Sequence, residues 1–122
     1  MVAKRHPRYL SSSTPNRQQQ TTALYLCSSC HSELFDQKDI ISRAFQGRHG
    51  QAFLIHQVIN ISIGDQEERM LMTGLHTVAD ISCSVCCGTI GWVYIKSPEM
   101  NQKYKENKFI IEKLRVIKEA VV

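Results

Sequence analysis

Four of the five cysteines in this 122-residue chain fall into two matching pairs, Cys27-Ser28-Ser29-Cys30 and Cys83-Ser84-Val85-Cys86, separated by 52 residues. Two residues between cysteines let both thiolates reach one metal ion while the intervening backbone N–H groups turn toward the sulfurs. Two such knuckles offer four soft ligands, the tetrahedral set that Zn²⁺ takes at S–Zn distances of about 2.3 Å. Four thiolates leave no coordination position for water, so one zinc held this way is structural. Its binding contributes on the order of 10 kcal/mol to folding. A single C-x-x-C would suit a redox dithiol, and a disulfide framework would need an oxidising compartment that nothing else in the sequence points to. An iron–sulfur centre uses the same four thiolates, and spacing alone does not separate it from zinc. The paired spacing favours zinc. Cys87 adjoins a ligand but its side chain points another way; with no base or basic cluster beside it, it reads as an inert thiol.

Catalysis would require a nucleophile–base pair, paired carboxylates or an open metal position. His31 follows a ligand cysteine, His49 lies in a turn, His56 sits in a strand and His76 just before another. Histidines scattered in this way are more often core or surface residues than general bases, and no Gly-rich phosphate loop is present. The chain reads as a binding module, not an enzyme.

The elements that must position these residues are mostly strands. Order is expected to begin near Leu24-Tyr25-Leu26, which runs into the first knuckle. Gly47-Arg48-His49-Gly50 marks a turn that uses positive φ. In Gln51 to Ile63, the residues Phe53, Ile55, Ile59, Ile61 and Ile63 share one parity, which predicts one strand or two joined at a bend. Gly64-Asp65-Gln66-Glu67-Glu68 reads as the next turn. Arg69 to Thr73 and His76 to Cys83 read as strands connected at Gly74, and Ile90 to Ile95 as another. Phe109 to Leu114 is open between strand and helix, because Ile110, Leu114, Ile117 and Val121 recur at helical spacing.

A chain of this length builds one core. Residues 1–22 are polar and basic and too poor in apolar side chains to offset their ordering entropy, which predicts a disordered tail. Lys4, Arg5, Arg8 and Arg17 in that tail account for the whole formal charge of +4, since the remaining 11 basic residues are matched by 11 acidic ones. The neutral remainder shows no basic stripe, so no specific nucleic-acid partner is expected. No apolar run is long enough to cross a bilayer, and no secretory signal is evident, so the expected setting is intracellular, with no membrane.

Beyond the cysteines, Gly50, Leu54, Asn60, Gly74, Gly91-Trp92-Val93-Tyr94, Lys105 and Glu112 stand at intervals that resemble the Yippee-like family. The likeness covers about residues 24–115 and extends to the wording of Met72-Thr73-Gly74-Leu75-His76-Thr77-Val78-Ala79-Asp80-Ile81. It places a Yippee zinc-binding domain over residues 23–122. Two departures stand out. A polar, basic segment replaces the apolar strand usual before the first knuckle, which would leave the first sheet short of an edge strand. Asn107 replaces the usual glycine after Tyr104-Lys105-Glu106, and asparagine still tolerates a left-handed turn.

The resemblance implies a mainly β structure, the β-tent, in which two antiparallel sheets meet at an angle and are pinned by one structural zinc held by Cys27, Cys30, Cys83 and Cys86. The thalidomide-binding domain of cereblon and the zinc-bearing methionine sulfoxide reductases are related folds. The resemblance further implies a nuclear or cytoplasmic protein with protein partners, acting as an adaptor in a regulatory assembly linked to ubiquitin ligases or cell division. A different implication is a reader of small ligands or modified peptides. In cereblon-like relatives the tryptophan of the G-W motif helps form an aromatic cage. Trp92 is the only tryptophan, so a smaller pocket would need His76, Tyr94, Phe53 or Tyr104 beside it; the plainer expectation is that Trp92 packs between the sheets. Reductase chemistry would need a reactive cysteine outside the zinc site, and Cys87 is badly placed for it.

Overall fold

The apolar alternation after Gly50 resolves into two separate strands in the computed structural model, which describes residues 23–120. The predicted tail over residues 1–22 lies outside the described residues. The strands are β1 (Ala23–Cys27), β2 (Glu33–Asp36), β3 (Ile40–Gly47), β4 (Gly50–Ile55), β5 (Ile61–Leu71), β6 (Gly74–Cys83), β7 (Thr89–Lys96), β8 (Phe109–Glu112) and β9 (Val116–Ala120). Short 3-10 turns occupy Gln37–Asp39, Met100–Lys105 and Lys113–Arg115. All pairings are antiparallel, in a three-stranded sheet ordered β2-β1-β9 and a six-stranded sheet ordered β3-β4-β8-β7-β6-β5.

Three expectations change here. The first sheet is not short of an edge strand: Ala23-Leu24-Tyr25-Leu26-Cys27, where order is expected to begin, is its central strand, with β2 as the edge on one side and β9 on the other. Gly64 to Glu68 is not a turn. β5 runs straight through these polar residues, with a register shift between Ile63 and Gln66 while it pairs with β6. An extra residue in an edge strand bends it and adds twist without ending it. The end of the chain is strand on both sides of a 3-10 turn, with β8 in the large sheet and β9 in the small one. Its helical spacing yields because β1 would otherwise leave a row of backbone groups unpaired.

Strand alternation divides the large sheet into two buried faces. Phe53, Ile55, Ala79, Ile81, Cys83, Val93 and Ile111 face the small sheet and meet Tyr25, Cys27, Leu34 and Phe35. At the centre of this inter-sheet core, Tyr25 stacks on Phe35 at 4.7 Å and both rings meet Phe53 edge-on. Each such side chain stabilises the fold by roughly 1.5–3 kcal/mol through burial. The opposite face carries a second cluster of Ala52, Leu54, Val78, Tyr94 and Ile110, against which Phe45, Leu71 and Trp92 pack. Trp92 therefore does not sit between the sheets. Where β7 passes β8, a Cβ on Gly91 would stand 1.8 Å from the Ile110 carbonyl oxygen, so only glycine fits. Among the described residues no helix is long and apolar enough to cross a membrane.

Candidate metal centre and aromatic pocket

The two knuckles fold identically. Cys27 ends β1, and the His31 N–H donates to the Cys27 carbonyl at 2.8 Å; Cys83 ends β6, and the Cys87 N–H donates to the Cys83 carbonyl at 2.8 Å. The strand then resumes its direction through a second bond in each loop, Cys27 N–H to Ser32 and Cys83 N–H to Gly88. Closing so tight a loop puts the residue after the second cysteine in the left-handed region: His31 at φ 65° and Cys87 at φ 67°. The fifth cysteine thus occupies a backbone position equivalent to His31, exposed and outside the ligand set.

Both loops deliver their sulfurs to one point. The four Sγ atoms of Cys27, Cys30, Cys83 and Cys86 all lie within 4.8 Å of one another. Across the knuckles, Cys27 and Cys86 are 3.7 Å apart and Cys30 and Cys83 are 3.5 Å apart. A tetrahedron with S–Zn bonds of about 2.3 Å has edges of about 3.8 Å, so this sulfur set fits one zinc ion. Burial pushes the Cys83 thiol up to about 12, while its hydrogen bond with Ser32 holds Cys30 down to about 6. Zinc displaces the protons and holds all four as thiolates. Cys27 belongs to the small sheet and Cys83 to the large one, so the ion staples the two together.

Asn60 aligns the two knuckles, a role that sequence reasoning missed. Its side-chain amide donates to the Glu33 carbonyl at 2.8 Å beside the first knuckle, and its own carbonyl accepts from Ser84 N–H at 2.8 Å in the second. Its φ of 59° is one that asparagine adopts more readily than most residues. An asparagine between two strand patterns was the available signal.

The other sequence-marked residues lie elsewhere, and they divide. Trp92 and Tyr94 meet edge-on at 6.2 Å and line an open cavity of about 990 Å³ on the outer face of the large sheet. Tyr104 lines it as well. His76 is buried against Tyr94, 5.3 Å between rings, with its Nδ1 2.9 Å from the Gly74 carbonyl, and is not part of the lining. Phe53 belongs to the inter-sheet core, on the other side of the sheet. The structure thus brings Trp92, Tyr94 and Tyr104 to one cavity and leaves His76 and Phe53 out of its lining.

Two further residues shape this cavity. The Lys105 side chain is buried, its Nζ 5.2 Å from the Tyr94 ring centre, 5.3 Å from Phe45 and 5.9 Å from Tyr104, and it donates to Thr73 Oγ1 at 3.0 Å. Burial lowers its pKa. Glu112 accepts from the His49 N–H at 2.9 Å and meets His49 Nδ1 at 3.0 Å. Burial opposes its ionisation, but these bonds outweigh it and hold the carboxyl below its ordinary value. The same carboxylate fills the space where a Gly47 side chain would stand, since a Cβ there would meet it at 2.7 Å.

The comparisons with known proteins agree with this geometry. The family model described as "Yippee zinc-binding/DNA-binding /Mis18, centromere assembly" matches residues 23–119. A yippee-like protein of Arabidopsis thaliana is 53% identical over 96 residues, covering 79% of this chain and 91% of that protein. Protein yippee-like 3 of Danio rerio is 50% identical and that of Homo sapiens 48%, each over 95 residues, 78% of this chain and 80% of theirs. The crystal structure of the Mis18 "Yippee-like" domain superposes with a TM-score of 0.66 at 16% identity, covering 83% of this chain and 98% of that one, which shows a shared fold. With two sheets joined at a four-cysteine zinc site and relatives at this level of identity, the chain belongs to the Yippee zinc-binding family.

Proposed function

We propose that this protein is a non-enzymatic adaptor, a zinc-stapled module that docks onto a larger protein assembly in the nucleus or cytoplasm. The observation that carries this reading is the metal centre itself. Four thiolates at the joint of two sheets close the ion's coordination and spend it on rigidity, giving a fixed surface instead of a reacting centre. The family description, which names centromere assembly, supports a role among protein partners. The test is quantitative affinity purification from cells with the intact chain, Trp92→Ala and Cys83→Ser. Partners retained by Trp92→Ala and lost with Cys83→Ser are the expected result; an intact chain that enriches no partner overturns the proposal. Fractionation of the same cells checks the compartment.

A second reading, a reader of small ligands or modified peptides, has its own support in the cavity beside Trp92. The indole Nε1 is buried and has no hydrogen-bond partner among the described residues. A buried donor left in this state costs about 1–3 kcal/mol, which a ligand's acceptor would recover. Loss of a bound molecule in Trp92→Ala, with zinc content intact, is the result this reading expects.

A further inference from the structure

An aromatic pocket can take a cation against its ring faces, but here that place is filled from within. Lys105 sits over Phe45, Tyr94 and Tyr104, with the Thr73 hydroxyl as its hydrogen-bond partner. Among the described residues no carboxylate is ion-paired with it. The two acids that line the cavity are committed elsewhere: Asp80 pairs with Arg69 at 3.1 Å, and Glu112 holds His49 at 3.0 Å. Of the four cationic side chains in the lining, Arg69 is paired with Asp80 and Glu67 and Arg115 with Glu112, so among the described residues Arg48 and Lys105 are the two that no carboxylate pairs with. The Trp92 indole N–H is buried without a hydrogen-bond partner, whereas the Arg115 Nε, which also lacks one, faces the Glu112 carboxylate at 3.8 Å.

We propose that this cavity binds a carboxylate, received by the Lys105 ammonium with the Trp92 N–H as a second donor, and that it rejects methylated ammonium groups. The inference deepens the reader interpretation and rests on it. The sign follows from charge complementarity. A cation entering the cage meets the chain's own ammonium, while an anion gains a charge-assisted hydrogen bond to a buried donor that no carboxylate among the described residues pairs with. The rings still serve, packing on whatever apolar group carries the carboxylate.

The chain has four tyrosines but Trp92 is its only tryptophan, so fluorescence excited at the red edge, where tyrosine does not absorb, reports on this cavity. The zinc-loaded full chain is titrated with N-acetylglycine, whose carboxylate ends a chain; with N-acetylaspartate methylamide, whose carboxylate is a side chain; with N-acetylglycine methylamide, which has none; and with tetramethylammonium. Saturable change with one or both carboxylates and none with the other two probes is the expected result, and the pair of carboxylates separates a chain terminus from an acidic side chain. Lys105→Met, checked for zinc content, is expected to weaken carboxylate binding at least tenfold. Saturation by tetramethylammonium or the neutral amide, with neither carboxylate binding, overturns the inference and leaves the reader interpretation standing. No saturation by any probe overturns both. Unchanged carboxylate affinity in a folded Lys105→Met removes the assigned anchor and overturns the proposal; if that variant loses its zinc, the selectivity of the unmodified chain decides.

Discussion

Cys83 is buried at the end of β6 with its sulfur 3.5 Å from that of Cys30, while Cys87 is exposed in a left-handed turn. Two substitutions four residues apart therefore have opposite consequences. Cys83→Ser, like Cys27→Ser, is expected to abolish zinc binding and unfold the domain, whereas Cys87→Ser keeps one zinc per chain and an unchanged melting temperature. Metal analysis with circular dichroism checks both. Gly91 makes a different demand, since any side chain there collides with the Ile110 backbone. Gly91→Ala is expected to cost at least about 3 kcal/mol, the upper end for overpacking, because a backbone oxygen has nowhere to go. Denaturant titration measures it.

Among the elements, the β3–β4 hairpin depends on a residue far away in sequence. Glu112 at the end of β8 accepts the His49 N–H in the turn, against the bare backbone of Gly47. Removing it in Glu112→Ala leaves that donor without its partner, at a cost of about 1–3 kcal/mol. Faster hydrogen exchange at the His49 amide, with the metal centre undisturbed, is the expected readout. The turn itself was legible from two glycines in four residues, and Gly50 does take a positive φ of 114°. The knuckles were legible because metal geometry dictates their spacing. The middle of β5 was not, because it is an edge strand: of Gly64, Asp65, Gln66, Glu67 and Glu68 every one is exposed, and an edge with no buried face has no alternation to read, although residues 61–63 and 69–71 at its two ends read as strand. Trp92 was misplaced for the opposite reason. Val93 and Tyr94 are both buried, because the large sheet is covered on both faces, and periodicity does not say which face a residue joins.

At the scale of the molecule, zinc joins a small sheet to a large one, and neither is expected to survive alone. Chelation removes a contribution on the order of 10 kcal/mol, comparable to the total stability of a typical domain. It should therefore abolish far-ultraviolet circular dichroism and shift Trp92 fluorescence in one coincident transition. Two separate transitions would mean that the large sheet stands without its staple. The pairing of β9 with β1 has a mechanical consequence as well. Ala23 is opposite Ala120 and Cys27 is opposite Val116, so the outer ends of both strands leave the sheet side by side. A pull applied at Ala23 and Ala120 loads these rungs singly, from the outside inward, which makes the pair a zipper of low tearing force. The tear then reaches Cys27, where the metal bonds take the load, and force spectroscopy should record a soft opening followed by a hard stop that chelator abolishes.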